Sequence, residues 1–142
     1  MKRETTSVLA GLITVLAVVD ASALLPSTTA STSLLIRFTT PPGIGFNRRG
    51  ASTLSVVAAG SRQSFVLRGI PDPADPVNTL LRLDDLRIPL PQTRGGRITL
   101  KATFFLCDRV NGVCTVQEKE RVVTVIEGQT KTVNWSVGRP SR

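Results

Sequence analysis

The residues with distinctive chemistry in this 142-residue chain are two cysteines, Cys107 and Cys114. The sequence contains no His and no Tyr. That excludes a Ser-His-Asp triad, a His metal site and an imidazole proton shuttle. Neutral-pH acid–base work is left to carboxylates, amines or the two thiols. Two Cys are too few to close a zinc site. The carboxylates do not form a working pair: Asp84 and Asp85 are adjacent and fall on opposite faces of a strand, while Glu118 and Glu120 share a face with no evident cleft. No Gly-rich loop follows a strand and opens a helix, so no nucleotide or other cofactor is expected. No catalytic residue and no metal site is assigned.

Six residues separate the cysteines, and Asn111-Gly112 between them tolerates the positive φ of a tight turn. A four-residue loop Arg109–Gly112 with Gly112 left-handed closes Asp108 against Val113 and sets Cys107 opposite Cys114. Directly opposed Cβ atoms lie about 4.5–5.5 Å apart, closest in non-hydrogen-bonded pairs, and a disulfide needs about 3.5–4.5 Å. A three-residue loop with a bulge instead places Cys114 opposite Asp108. Register therefore decides between a bond and two thiols. An oxidised pair is either a staple across one hairpin or an exchangeable redox pair, with Arg109 favouring a thiolate and Asp108 opposing it.

The elements that must position this hairpin read as strands. Arg97–Cys107 places Ile98, Leu100, Ala102, Phe104 and Leu106 on one face at a period of two. Val113–Ile126 is a β-branched run with Glu118-Lys119-Glu120-Arg121 at its middle. Leu34–Thr40 puts Leu34, Ile36 and Phe38 on one face, and Thr130–Val137 does the same with Val133, Trp135 and Val137. Thr53–Ala59 and Gln63–Arg68 flank a tight turn at Gly60-Ser61. Pro41–Gly50 reads as loop, Pro71–Pro76 as a proline-dense connector, and Leu81–Leu86 as one edge strand closed by Pro89 and Pro91. Phe46 and Trp135 are read as core fillers before ligand platforms. The expectation is an all-β, antiparallel immunoglobulin-like β-sandwich of about seven strands, with a small barrel as the second choice.

The first 23 residues read differently. Lys2-Arg3, the uncharged run Val8–Val19 and Ala21-Ser22-Ala23 are the parts of a signal peptide cleaved after Ala23. Twelve helical residues span about 18 Å, short of a hydrocarbon core of about 30 Å. The alternative is an uncleaved anchor reaching Leu25. Residues 24–33 then form a flexible Ser/Thr-rich lead, 34–137 the sandwich and 138–142 a basic tail. The chain carries 18 Lys+Arg against 10 Asp+Glu, a formal charge of +8. The basic residues are scattered and not interleaved with aromatics, so a solvated exterior is expected and nucleic acid is not. Stable membrane insertion after cleavage is not expected either.

The segment Gly96–Val125, with Lys101–Cys107, the turn, and Gly112-Val113-Cys114, resembles a hairpin of two related domains. One is the β-sandwich at the C-terminus of NHL-repeat, thioredoxin-like proteins. The other, more distant, is the N-terminal immunoglobulin-like domain of thiol–disulfide interchange reductases. Pro42–Asn47 is similar to a loop that precedes a strand in the NHL-type domain. The resemblance implies a sandwich over residues 34–126. It also implies that Cys107 and Cys114 sit where those reductases pass electrons to exported partners, with Thr115 replacing the aromatic that follows the second Cys there.

These features give an exported binding or structural module whose partner is another exported protein or a second copy. The alternatives are a thiol–disulfide exchange accessory acting through Cys107 and Cys114, and a filament subunit in which the lead and Leu34–Phe38 complete a neighbour's sheet. Mass spectrometry of the exported protein should give a mature N-terminus at Leu24; an intact Met1 would establish the anchor.

Overall fold

The computed structural model describes residues 31–91 and 94–138. The expected signal peptide, the lead up to residue 30 and all but Gly138 of the basic tail lie outside the described residues. The described chain is all-β, with ten strands in two sheets. They are β1 Ser33–Thr39, β2 Ile44–Asn47, β3 Thr53–Ala58, β4 Ser61–Val66, β5 Gly69–Pro71, β6 Thr79–Leu83, β7 Leu86–Pro89, β8 Gly96–Asp108, β9 Cys114–Val125 and β10 Thr130–Ser136.

β8 organises the larger sheet. Its alternating residues Ile98, Leu100, Ala102, Phe104 and Leu106 are all buried, as the period of two requires. Along one edge it pairs with β9 without interruption, from Gly96↔Val125 to Cys107↔Cys114. Its other edge serves two strands in succession. Thr99–Thr103 pairs with β3, and Leu106–Asp108 pairs with β2. Between these stretches the Phe105 N–H donates to Ser52 Oγ at 3.0 Å, so the interruption leaves no buried donor unsatisfied. The Phe105 ring covers Gly50, where a Cβ would lie 2.6 Å from the ring. The branches continue as β3–β4 on one side and β2–β6–β5 on the other, curling the sheet into a half-barrel.

The smaller sheet has the order β10-β1-β7. One aromatic cluster joins the two sheets. The Phe104 ring of β8 meets Phe38 of β1 at 5.9 Å and Trp135 of β10 at 6.1 Å, both edge-on, and lies 6.3 Å from Phe46 of β2. Such pairs add to the stabilisation from area burial. Phe46 and Trp135 are thus core residues.

Five sequence expectations change. The fold is not wholly antiparallel: β1 runs parallel to β10, from Ser33↔Thr130 to Thr39↔Ser136. The strand count rises from about seven to ten because very short strands escape a periodicity reading. Within Pro41–Gly50, Ile44–Asn47 is a strand, with Ile44 and Phe46 buried; the segment's three glycines, one of them inside the strand, and its two prolines hid four residues of pairing. The segment around Leu81–Leu86 is two strands, because the chain leaves the larger sheet at Asp84-Asp85 and enters the smaller one at Leu86. The first strand also opens one residue early, at Ser33, and the preceding Thr32 is buried.

The β3–β4 turn comprises Ala59 and Gly60, both at positive φ, since Ala58 pairs with Ser61. This is the twist-matched two-residue hairpin geometry. Phe104→Ala should lower the unfolding free energy by about 3–5 kcal/mol. Chemical denaturation should show this as a lower midpoint with an unchanged slope.

Candidate functional site

The β8–β9 hairpin ends in the four-residue loop Arg109–Gly112. Asp108 N donates to Val113 O at 2.8 Å, Gly112 N donates to Asp108 O at 2.8 Å, and Gly112 has φ 69°. Asp108/Val113 is therefore a hydrogen-bonded pair, which makes the next pair along, Cys107/Cys114, a non-hydrogen-bonded one. That is the closer type of pair, and the two cysteines form a disulfide with Cα atoms 4.0 Å apart. A disulfide of this kind belongs to an oxidising, extracytoplasmic setting.

Asp108 builds the loop. One carboxylate oxygen accepts the Val110 and Asn111 N–H groups at 2.9 and 3.1 Å, and the other accepts the Asn111 side-chain amide at 2.9 Å. This Asx-type closure fixes the loop length and hence the register that opposes the cysteines. The sequence signal was an Asp two residues before Val110-Asn111-Gly112; its carboxylate serves loop geometry.

Arg109 ties the hairpin tip to the proline-rich connector. Its Nε donates to Asp72 Oδ2 at 2.6 Å and its Nη2 to Asp72 Oδ1 at 3.1 Å. The Asp72 side chain is only 3% exposed, that of Arg109 34%. Asp72 Oδ1 also accepts the Ala74 N–H at 3.0 Å, and its backbone N–H reaches Thr79 O. Asp75 continues the pattern by accepting the Asn78 side-chain amide at 3.0 Å. The pair forms over Gly45, where a Cβ would lie 2.8 Å from Thr79 Cγ2 and 3.4 Å from Arg109 Cδ. The tighter constraint at Gly45 comes from β6, since the same Cβ would also lie 2.9 Å from the Leu80 carbonyl oxygen.

These elements enclose an open cleft of about 530 Å³ between the hairpin tip and the connector. The disulfide forms part of one wall. Asn47, Arg49, Asp75 and Asn78 supply polar groups to its lining, as does the Arg109–Asp72 pair. Cys107 is nearly buried while Cys114 is exposed. The hairpin end also carries exposed apolar side chains: Val110 in the loop is 82% exposed and Val113, just after it, is exposed too, as is Val77 in the connector between Asp75 and Asn78.

Other residues considered from the sequence lie apart from this cleft. Asp85 pairs with Arg37 at 3.3 Å, with both side chains about half exposed, and the Asp84 N–H donates to Arg68 O. Glu118 and Glu120 stand on the solvent face of β9, where Glu120 meets Lys101 at 3.4 Å. Sequence reasoning missed the ion pair because 37 positions separate its members; the connector's repeated Asp-Pro was legible as turn chemistry, but not as the anchor of Arg109. Among the described residues, no group of three or more His, Cys, Asp or Glu is placed to hold a metal ion.

No protein-family model matches the chain, and no curated protein matches it.

Arg109→Met keeps the packing of the side-chain stem but strands the Asp72 carboxylate. It should cost about 1.5–3 kcal/mol, below the cost of a fully buried pair because Arg109 is partly solvated. Thermal unfolding of the variant, beside Asp72→Asn, measures this loss.

Proposed function

We propose that the protein is an exported binding module of immunoglobulin-like architecture that engages another exported protein through the hairpin tip and its adjoining cleft. The observation carrying this reading is the pairing of rigidity with apolar exposure. The disulfide, the Asp108 closure and the Arg109–Asp72 pair fix the loop, and the fixed hairpin end carries Val110 and Val113 exposed. Pre-organised apolar side chains lose little entropy on docking, which raises affinity without enlarging the contact. The immunoglobulin-like assignment draws on the two sheets with a shared core and on the parallel pairing of the first and last described strands. The resemblance of Gly96–Val125 to the sandwich domains of NHL-repeat proteins and interchange reductases agrees with it. Export draws on the disulfide together with the n-region, apolar run and small-residue site at the start of the chain.

A second reading, thiol–disulfide exchange, is favoured by the exposure of Cys114 and by the disulfide's place on the cleft wall. Strand donation has less support. Leu34–Phe38 already lies between β7 and β10 of its own chain, so donation must first break both ladders.

The reduction potential of Cys107–Cys114 separates the first two readings. A binding module should give a value below about −300 mV, as structural disulfides do, whereas about −270 to −120 mV would assign exchange. Replacing both cysteines by Ala should lower stability by about 2.5 kcal/mol and leave partner binding in place.

A further inference from the structure

The far edge of β9 is the longest strand edge that the described fold leaves unpaired. β9 has twelve residues, about 40 Å of strand, and among the described residues β8 is the only strand paired with it. The register fixes which groups that edge offers. Because Asp108/Val113 is a hydrogen-bonded pair and the ladder has no bulge, Thr115, Gln117, Lys119, Arg121 and Val123 turn their N–H and C=O toward β8. Cys114, Val116, Glu118, Glu120, Val122 and Thr124 turn theirs outward. The same six side chains are exposed on one face, with Val116 and Val122 standing on either side of Glu118 and Glu120, and Lys101 of β8 beside Glu120 leaves this stretch one net negative charge.

The neighbouring strand β10 does not occupy this edge. Lys119 and Arg121 extend from the inner face of β9 across the open side of the sandwich and donate to Ser136 O and Asn134 O, each at 2.8 Å. These carbonyls belong to the side of β10 turned away from β1. The two cations therefore blunt the β10 edge and leave the β9 edge open.

A second copy is a poor occupant. Antiparallel self-pairing overlaps most when centred on Glu118, Lys119 or Glu120, and each of those registers sets Glu opposite Glu of the other copy. Directly opposed like charges are destabilising. The edge suits a strand with basic residues facing Glu118 and Glu120 and apolar residues facing Val116 and Val122.

We propose that the β9 edge receives an extended segment of a partner protein by strand addition, the segment carrying an apolar-x-basic-x-basic-x-apolar pattern. The inference goes beyond the hairpin-tip reading: it adds a second surface, on the β9 edge, and names the chemistry of the segment that surface takes. Main-chain hydrogen bonds supply affinity, and the two glutamates choose the partner while rejecting self-association.

The test uses the disulfide-bonded protein and a synthetic acetylated, amidated peptide, TVTRTRTVT. Amide hydrogen exchange followed by NMR should show slowed exchange at Val116, Glu118, Glu120 and Val122 on adding peptide. The same peptide N-methylated at alternate residues, so that its edge-facing donors are lost, should bind at least tenfold more weakly. A peptide with Glu in place of both Arg should do likewise, and Glu118→Lys with Glu120→Lys in the protein should weaken the original peptide at least tenfold. No slowing at those amides, or equal binding of the N-methylated peptide, would overturn the proposal. Slowing that grows with protein concentration in the absence of peptide would overturn it in favour of a second copy. The titration depends neither on the disulfide potential nor on the hairpin tip.

Discussion

β8 has two hydrogen-bonding edges, and the fold depends on how unequally they are satisfied. One is met by a single strand over its whole length. The other is shared between β3 and β2, with Ser52 Oγ taking the Phe105 N–H where neither strand reaches. Splitting an edge is what allows the sheet to curl, since the two branches can diverge from the common strand. Curling brings the inward face of β8 around Phe104, and β1 and β10 close over that ring with Phe38 and Trp135. A β8 paired uniformly on both sides would build a flatter sheet, with less of its apolar face enclosed by so small a second layer.

The same division shapes the candidate site. β2 takes the last residues of β8, so the hairpin tip projects beside β2 and the connector that leads into β6. Arg109 N donates to Gly43 O, extending the β2 pairing by one residue into the loop. From there the side chain has a direct line over Gly45 to Asp72. The cleft beside the disulfide is thus a consequence of where β2 ends. The exposed valines are held by the network that closes the loop, and their solvent exposure is a property of the folded state.

Much of this architecture could be read from residue order. The face of β8, the opposition of Cys107 and Cys114, the four-residue loop and the left-handed Gly112 all follow from local rules: a period of two, a turn dipeptide and a countable loop. What could not be read depends on partners distant in sequence. Ile44–Asn47 is a strand because β8 and β6 flank it, and nothing in four residues between glycines announces that. β1 runs parallel to β10 across a separation of 97 residues, a choice made by core packing. Asp72 is recognisable as a turn residue, yet its burial is tolerated only because a guanidinium reaches it from the far hairpin.

Two neighbouring edges in this molecule are treated in opposite ways. β10 presents outward carbonyls at Asn134 and Ser136, and Arg121 and Lys119 occupy both. β9, which supplies those cations, keeps its own outward groups exposed and flanks them with Glu118 and Glu120. The alternation of a strand makes this division possible: odd-numbered residues reach inward to cap the neighbour, and even-numbered ones face solvent with the free edge. Glu118-Lys119-Glu120-Arg121, which reads along the sequence as a mixed charge run, becomes two single-sign pairs on opposite faces once the strand is pleated. Its cations protect one edge from unwanted pairing. Its anions leave the other edge open, but unfavourable for a second copy.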